Sequence, residues 1–350
     1  MATAPAWTDL GGGVFVRRSA AFRMNSVALL DRSHAVVIDP GVLPSELEDL
    51  AAAVGHGAPE RVTLVFSHAH WDHVLGLPWF PGARTVAHDR FADALARDAG
   101  RIDAEARALC EAHGEAWPRT FAPFRPDEAV GGQRFLKLDP WRLVLRDAPG
   151  HCASQLTVHL PEEGVLFAAD MLSDVEVPTL DAPLSHFRAT LEGLRPLVEG
   201  GAIAHLVPGH GAIASGAEVA ARFAYDLAYL ERLEREVRAA RERGLDAAGA
   251  AAAIAPWEGI ERDPEFPMAE IHRDNVLHAF RGLDVPPPAA PAPRTGGDGR
   301  RAGGPRGVRA ARRARPGAAP RAGPRRTGGG GGRGPDGGRH GGGAPRRRGR

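Results

Sequence analysis

The sequence predicts an α/β domain built on two facing sheets, and two observations carry that expectation. Short β-branched and apolar runs alternate with a helix-forming stretch, as an α/β layer requires, and the theme returns in the second half of the chain. Four apolar runs or turns lead directly into His or Asp, which places metal-ligating side chains at strand-to-loop junctions.

In chain order, Val14-Phe15-Val16, Ser26 to Leu30 and Ala35 to Asp39 read as strands, the last stopping at the turn Pro40-Gly41. Pro44 to Val54 reads as a helix with Ser45 as its cap, leading to the strand Val62 to Phe66. After the strand-like Thr85-Val86-Ala87 comes an insertion, about residues 89–130, whose first half carries Ala, Arg and Asp at helical spacing. It is a candidate substrate lid. Trp117, Phe121 and Phe124 follow among prolines; with Trp71 and Trp79 opposite they either line an apolar pocket or simply pack. Leu143-Val144-Leu145, Leu156 to Leu160 and Val165 to Phe167 are strands, followed by a helix near Phe187 to Val198. C-terminal helices occupy about 216–283. The first, Gly216 to Arg243, spaces Val219, Phe223, Leu227, Leu230, Leu233 and Val237 three or four apart, with a solvated Arg/Glu face. The last, Glu270 to His278, holds His272, which reads as a packed or surface residue before a substrate contact.

Four metal-ligand side chains, His68, His70, Asp72 and His73, fall within six residues directly after the strand ending at Phe66. In a helix His70 would point away from the others, so convergence on one cation requires a tight turn. Three further candidates stand in similar settings: His151 after Pro149-Gly150, Asp170 after Val165 to Ala169, and His210 between Gly209 and Gly211.

The ordered set His68-Ala69-His70-Trp71-Asp72-His73, Gly150-His151, Ala169-Asp170 and Gly209-His210-Gly211 resembles the metallo-β-lactamase-fold hydrolase superfamily over roughly residues 10 to 215. The resemblance implies a four-layer αββα sandwich with a dinuclear metal centre on one edge. One metal would be held by His68, His70 and His151, the other by Asp72, His73 and His210, with Asp170 bridging. His at position 73 is similar to the glyoxalase-II-like and lactonase-like branches, and His rather than Glu at position 70 departs from the flavodiiron pattern. Some lactonase-type relatives use a tyrosine near the metals, whereas both tyrosines here, Tyr225 and Tyr229, lie in the 216–243 helix.

Two cations about 3.5 to 4 Å apart share a hydroxide and lower its pKa toward neutrality. The expected activity is therefore zinc-dependent hydrolysis of an ester, thioester, lactone or similar small-molecule bond, with two Zn2+ as cofactor and Fe or Mn as alternatives. Asp72 is the catalytic candidate, orienting the water or passing a proton, with simple ligation as the alternative. The substrate is expected to carry an apolar portion. A mononuclear-iron persulfide dioxygenase-like enzyme is the second class, and a nucleic-acid-associated protein acting through the tail is the third.

The domain is expected to span 1–285. Residues 286–350 are almost wholly Gly, Pro, Ala and Arg and are expected to form a disordered tail. That tail holds seventeen arginines against two acidic residues, a net charge of +15, so the +1 of the whole chain leaves residues 1–285 at −14. An acidic body is a poor match for phosphate-rich substrates, whose binding surfaces are usually basic, which leaves nucleic acid to the tail alone. The tail's composition is also that of an unselected extension read from GC-rich DNA. Only Cys110 and Cys152 are present, which suits a reducing cytoplasm, with Cys152 read as a small buried residue. No membrane span or leader is legible, and a soluble cytoplasmic protein is expected; oligomeric state is open.

Overall fold

Four antiparallel strands open the chain: β1 (Trp7–Gly11), β2 (Val14–Arg18), β3 (Asn25–Leu30) and β4 (Ala35–Ile38). β5 (Val62–Val65), β6 (Arg84–His88) and β7 (Glu128–Val130) then add in parallel, completing a seven-stranded sheet in sequence order. Parallel neighbours need crossover connections, and these are α1 (Pro44–His56) between β4 and β5, a segment with two short 3-10 turns (Trp71–His73 and Leu77–Trp79) between β5 and β6, and α2 (Phe91–Ala112) between β6 and β7. The second sheet has six strands: β8 (Gln133–Leu138), β9 (Trp141–Asp147), β10 (Leu156–Leu160), β11 (Val165–Phe167), β12 (His205–Val207) and β13 (Ala214–Ser215). They lie in the order β13-β12-β11-β10-β9-β8, and only β11 and β12 are parallel, joined through α3 (Leu184–Glu199). The computed structural model describes residues 6–260 and 263–288.

The side-chain period of two sorts each strand into two cores. Val27, Leu29, Val36, Ile38 and Val65 of the first sheet meet Leu143, Leu145, Val158, Val165, Phe167 and Val207 of the second in the inner layer. Their neighbours face outward: Ala28, Val37, Leu64 and Phe66 pack against Leu47 and Leu50 of α1 and Phe91, Leu95 and Ile102 of α2. On the other side Leu166, Ala168 and Leu206 pack against Phe187 and Leu191 of α3, with α4 (Ala217–Glu242) and α6 (Met268–Gly282) behind them; α5 (Ala247–Ala253) joins the same layer. The result is the four-layer αββα sandwich expected.

Several details differ from the sequence reading. Ser45 does not cap α1: Leu43 occupies the cap position without a side-chain bond, and the Ser45 hydroxyl donates to Glu115 at 2.6 Å. Trp117 is a core residue against Trp79, and the half-buried Phe124 packs on that core beside Phe66 and Phe91, so both lie behind the first sheet. The helical half of the 89–130 insertion is α2, whose apolar face closes the outer layer while its charged face stays exposed. His272 is wholly buried, its Nδ1 3.0 Å from the Tyr229 hydroxyl. All but the first three residues of the Arg-rich segment 286–350 lie outside the described residues. Among the described residues no helix is long and apolar enough to cross a membrane.

Candidate metal centre

Each candidate ligand stands where a buried strand ends. β5 delivers Phe66, and the chain then turns through Ser67 to His70 into one turn of 3-10 helix, Trp71–His73, closed by the His73 amide donating to the His70 carbonyl at 3.2 Å. His70 itself stays extended at the cap position, φ −71° and ψ 154°. His151 lies between β9 and β10, and Asp170 follows β11 across Ala169, a non-glycine residue at φ 51°. His210 follows β12. Its loop is fixed to the first sheet because the Asn25 side chain donates to the carbonyls of Pro208 and Gly211, both at 2.9 Å. Gly209 donates to the Ala169 carbonyl, and a Cβ on Gly209 would overlap Asp170 Oδ1, so only glycine lets the two loops approach.

All seven predicted ligands meet at this edge, within two of three overlapping groups close enough to share a cation: His68, His70, His151 and Asp170, and Asp72, His73 and His210; the third joins Asp39 to His68 and His73. In the first, His70 Nδ1 and His151 Nε2 are 2.8 Å apart, and Asp170 Oδ2 is 3.2 Å from His151 Nε2 and 3.4 Å from His68 Nε2. In the second, Asp72 Oδ2 is 3.2 Å from His210 Nε2 and 3.7 Å from His73 Nε2. Asp170 reaches both groups, its other oxygen lying 3.3 Å from His73 Nε2.

A ring of outer partners aims the imidazoles. His73 Nδ1 bonds Asp39 at 2.8 Å, His68 Nδ1 the Ser67 hydroxyl at 2.9 Å, His210 Nδ1 the Phe22 carbonyl at 2.9 Å and His151 Nδ1 the Thr179 carbonyl at 3.2 Å. Each leaves Nε2 facing inward, the orientation in which an outer partner sets a ligand's tautomer. Asp39 also accepts from the Ser67 amide and hydroxyl. Asp181, 3.3 Å from His70 Nε2, and the buried Glu176 complete the acidic surroundings. Asp39, Asp181 and Glu176 were not among the sequence candidates, although Asp39 ends an apolar run as the ligands do.

The charges inside this ring are strongly coupled. Burial pushes His68 and His70 down, so both stay neutral. Burial also opposes charge on His73, but Asp170, Asp72 and Asp39 outweigh it and hold the value well above normal. His210 is likewise raised, to about 9, by Asp170 and Asp72 against its burial. Asp170 is held well below the carboxylate range because four histidines outweigh its desolvation. Glu176 is pushed up to about 7, chiefly by burial.

His68 Nε2, His73 Nε2 and Asp170 Oδ1 are buried without a hydrogen-bond partner among the described residues. Leaving such atoms bare costs about 1–3 kcal/mol each. A borderline divalent cation, which takes imidazole nitrogen and carboxylate oxygen together, satisfies all three, so the donor set fits a metal. Beside His70 a cavity of about 490 Å³ opens, walled by α2 on one side and by Cys152, Ala153, Ser154 and Asp181 on the other. Cys152 is a free thiol pushed up to about 11 by burial, which keeps it protonated and a poor nucleophile.

Paired mixed sheets between helices, with a His/Asp ring at the ends of β5, β9, β11 and β12, define an α/β sandwich with a candidate metal site. The chain belongs to the metallo-β-lactamase superfamily, which matches residues 21–230. It is 26% identical over 222 residues to the acyl-coenzyme A thioesterase MBLAC2 of Gallus gallus, a match covering 57% of this chain and 78% of that one. It is 25% identical over 155 residues to a hydroxyacylglutathione hydrolase of Methylobacterium sp. (strain 4-46), covering 44% of this chain and 51% of that one. Among solved structures it is similar to the inverting sec-alkylsulfatase Pisa1 of Pseudomonas sp., with a TM-score of 0.61 and 16% identity over 79% of this chain; the match spans 50% of that enzyme's length. A metallo-β-lactamase family protein of Thermus thermophilus gives a TM-score of 0.55 and 21% identity over 78% of this chain and 94% of that one. At such identities the structural likenesses speak to the fold alone.

Proposed function

We propose that this protein is a metal-dependent thioester hydrolase. In this reading His68, His70 and His151 hold one divalent cation, Asp72, His73 and His210 hold a second, and Asp170 is shared. The observation that carries it is the position of Asp170 between the two groups, within 3.4 Å of His68, His151 and His73. Two ligand groups with no residue in common favour two cations over a single iron, and the imidazole-carboxylate donors suit zinc, with iron or manganese as the other candidates.

Two such cations supply a water that ionises near neutrality and a positive charge for the carbonyl oxygen as it becomes an anion. Asp72 has the protein's part in placing that water. Its carboxylate stays ionised, since His73 and His210 outweigh its burial, and Oδ2 faces His210 at 3.2 Å. An ionised carboxylate there would accept a hydrogen bond from the water and orient it. Cys152, held protonated by burial, leaves acyl transfer to the protein's own thiol disfavoured.

The thioester preference is supported by the names of both curated relatives, an acyl-coenzyme A thioesterase and a hydroxyacylglutathione hydrolase. An apolar acyl portion is supported by Phe22, Trp71 and Phe266, which pack edge to face with centroids 6.0 Å apart, Phe266 lying 5.7 Å from the His210 ring. The deciding experiment is a panel of acyl-coenzyme A and acyl-glutathione thioesters, lactones, aryl esters and β-lactams. Thioesters should be turned over with at least ~10-fold higher kcat/KM than the rest, and His70→Ala should abolish turnover; a preference for lactones or β-lactams refutes the thioester assignment.

A further inference from the structure

The cavity beside His70 has a wall that the hydrolytic reading leaves unexplained. From His70 and Asp181 it extends along α2, which presents Arg90, Arg97 and Arg101 to it. Spacings of seven and four residues put these three on one helix face, spread over about 16 Å at 1.5 Å per residue. All three are exposed, while the buried side of the helix, Phe91, Leu95 and Ile102, anchors it to the sheet.

The lining carries three arginines and three aspartates, so its formal charges balance, but they are not paired one to one. Asp93 lies 3.7 Å from Arg125 and Asp98 lies 4.0 Å from Arg97, whereas Asp181, 3.3 Å from the neutral His70, keeps its charge. Arg90 and Arg101 make no ion pair among the described residues, whereas Arg107 on the same helix is held by Asp103 at 2.8 Å. Two guanidinium groups without an ion pair, against the one carboxylate Asp181, thus flank a cavity that ends at a candidate metal ligand. They do so on a body whose net charge over residues 1–285 is −14. A field of that sign repels anionic solutes, so an anionic substrate needs a local cationic wall to enter. Guanidinium forks match phosphate and carboxylate oxygens bidentately.

We infer that the α2 wall binds the anionic groups of the thiol half of the substrate, through Arg90 and Arg101, and thereby holds the scissile bond at His70. This inference rests on the thioester reading and extends it: the leaving group is a thiol carrier bearing phosphates or carboxylates, and the acyl half lies toward Phe22, Trp71 and Phe266.

The test uses the full-length, metal-loaded protein and two thioether probes that cannot be hydrolysed and carry no free thiol to ligate metal, S-methyl coenzyme A and S-methyl glutathione. Calorimetric titration should show one of them binding the wild type, the nucleotide probe indicating phosphate recognition and the tripeptide probe carboxylate recognition. In Arg90→Gln/Arg101→Gln its affinity should fall about tenfold or more, with a larger loss in Arg101→Glu, and the salt dependence of binding should flatten. Arg235→Gln, on α4, controls for loss of a surface charge and should leave the affinity unchanged. Binding of neither probe, or equal binding to wild type and the double variant, overturns the inference. Because the probes do not react, arginine-dependent binding in a protein that hydrolyses no thioester would leave this site standing and remove the hydrolytic reading alone.

Discussion

His73 Nδ1 lies 2.8 Å from Asp39 Oδ2, and neither side chain has any exposed surface. Asp39 sits at φ 48°, just past β4, and its carboxylate is fixed on three sides by His73 and by the amide and hydroxyl of Ser67. Since Ser67 also contacts His68, one buried carboxylate aligns two adjacent imidazoles, one from each ligand group.

Replacing Asp39 by Asn keeps the shape but removes one acceptor, so His73 can no longer be held in the same tautomer with Nε2 bare. Metal affinity should fall about 10- to 100-fold, the usual consequence of losing an outer partner of a ligand. Competition with a chromophoric chelator measures this directly; an unchanged affinity would show that Asp39 serves folding alone.

Gly209→Ala puts a Cβ onto Asp170 Oδ1 and within 3.2 Å of Ala169 backbone atoms, with little room for either to yield. The expected result is a loss of metal and of hydrolysis with the circular-dichroism spectrum retained. Gly193→Ala is the matching contrast. That glycine lies inside α3 with nothing within 4 Å of its Cβ position, and alanine should stabilise the protein by about 0.5–1 kcal/mol in urea unfolding.

With the metal stripped by chelator, stability should peak near pH 6.5. The folded state raises His210 to about 9, so its contribution is complete below the unfolded value of 6.5 and is lost as pH climbs from there to about 9. His68 and His70 are lowered by burial, so their contribution is present above 6.5 and is lost as pH falls. Thermal unfolding across pH 5 to 9.5 should show a maximum in the metal-free protein that flattens on the alkaline side when metal is bound, because bound histidines are already deprotonated. Identical profiles with and without metal would contradict the coupling.

The seven candidate ligands were legible because each follows an apolar run or a glycine turn with a side chain that does not belong in a core unless a cation or partner awaits it. Asp39 obeys the same pattern, yet its role depends on β4 lying parallel to β5, with the Asp39 amide bonded to the Val65 carbonyl, a pairing that local spacing does not reveal. Asp181 and Glu176 lie between β11 and α3 in a segment with no periodicity to read. β7, β12 and β13 are two or three residues long, too short for alternation to register. Ser45 had good cap chemistry, but Glu115, 70 residues away, took its hydroxyl. Trp117 and Phe124 show the opposite limit: apolarity says that a ring is buried and leaves open whether core or pocket buries it.

The most direct measurement is a zinc titration of the full-length, metal-free protein with an acyl-coenzyme A thioester present, reading hydrolysis against metal bound per chain. Activity absent without metal and complete at two equivalents is the predicted result. Activity that saturates at one equivalent, appears only with iron and consumes oxygen, or never appears with any thioester would contradict the account.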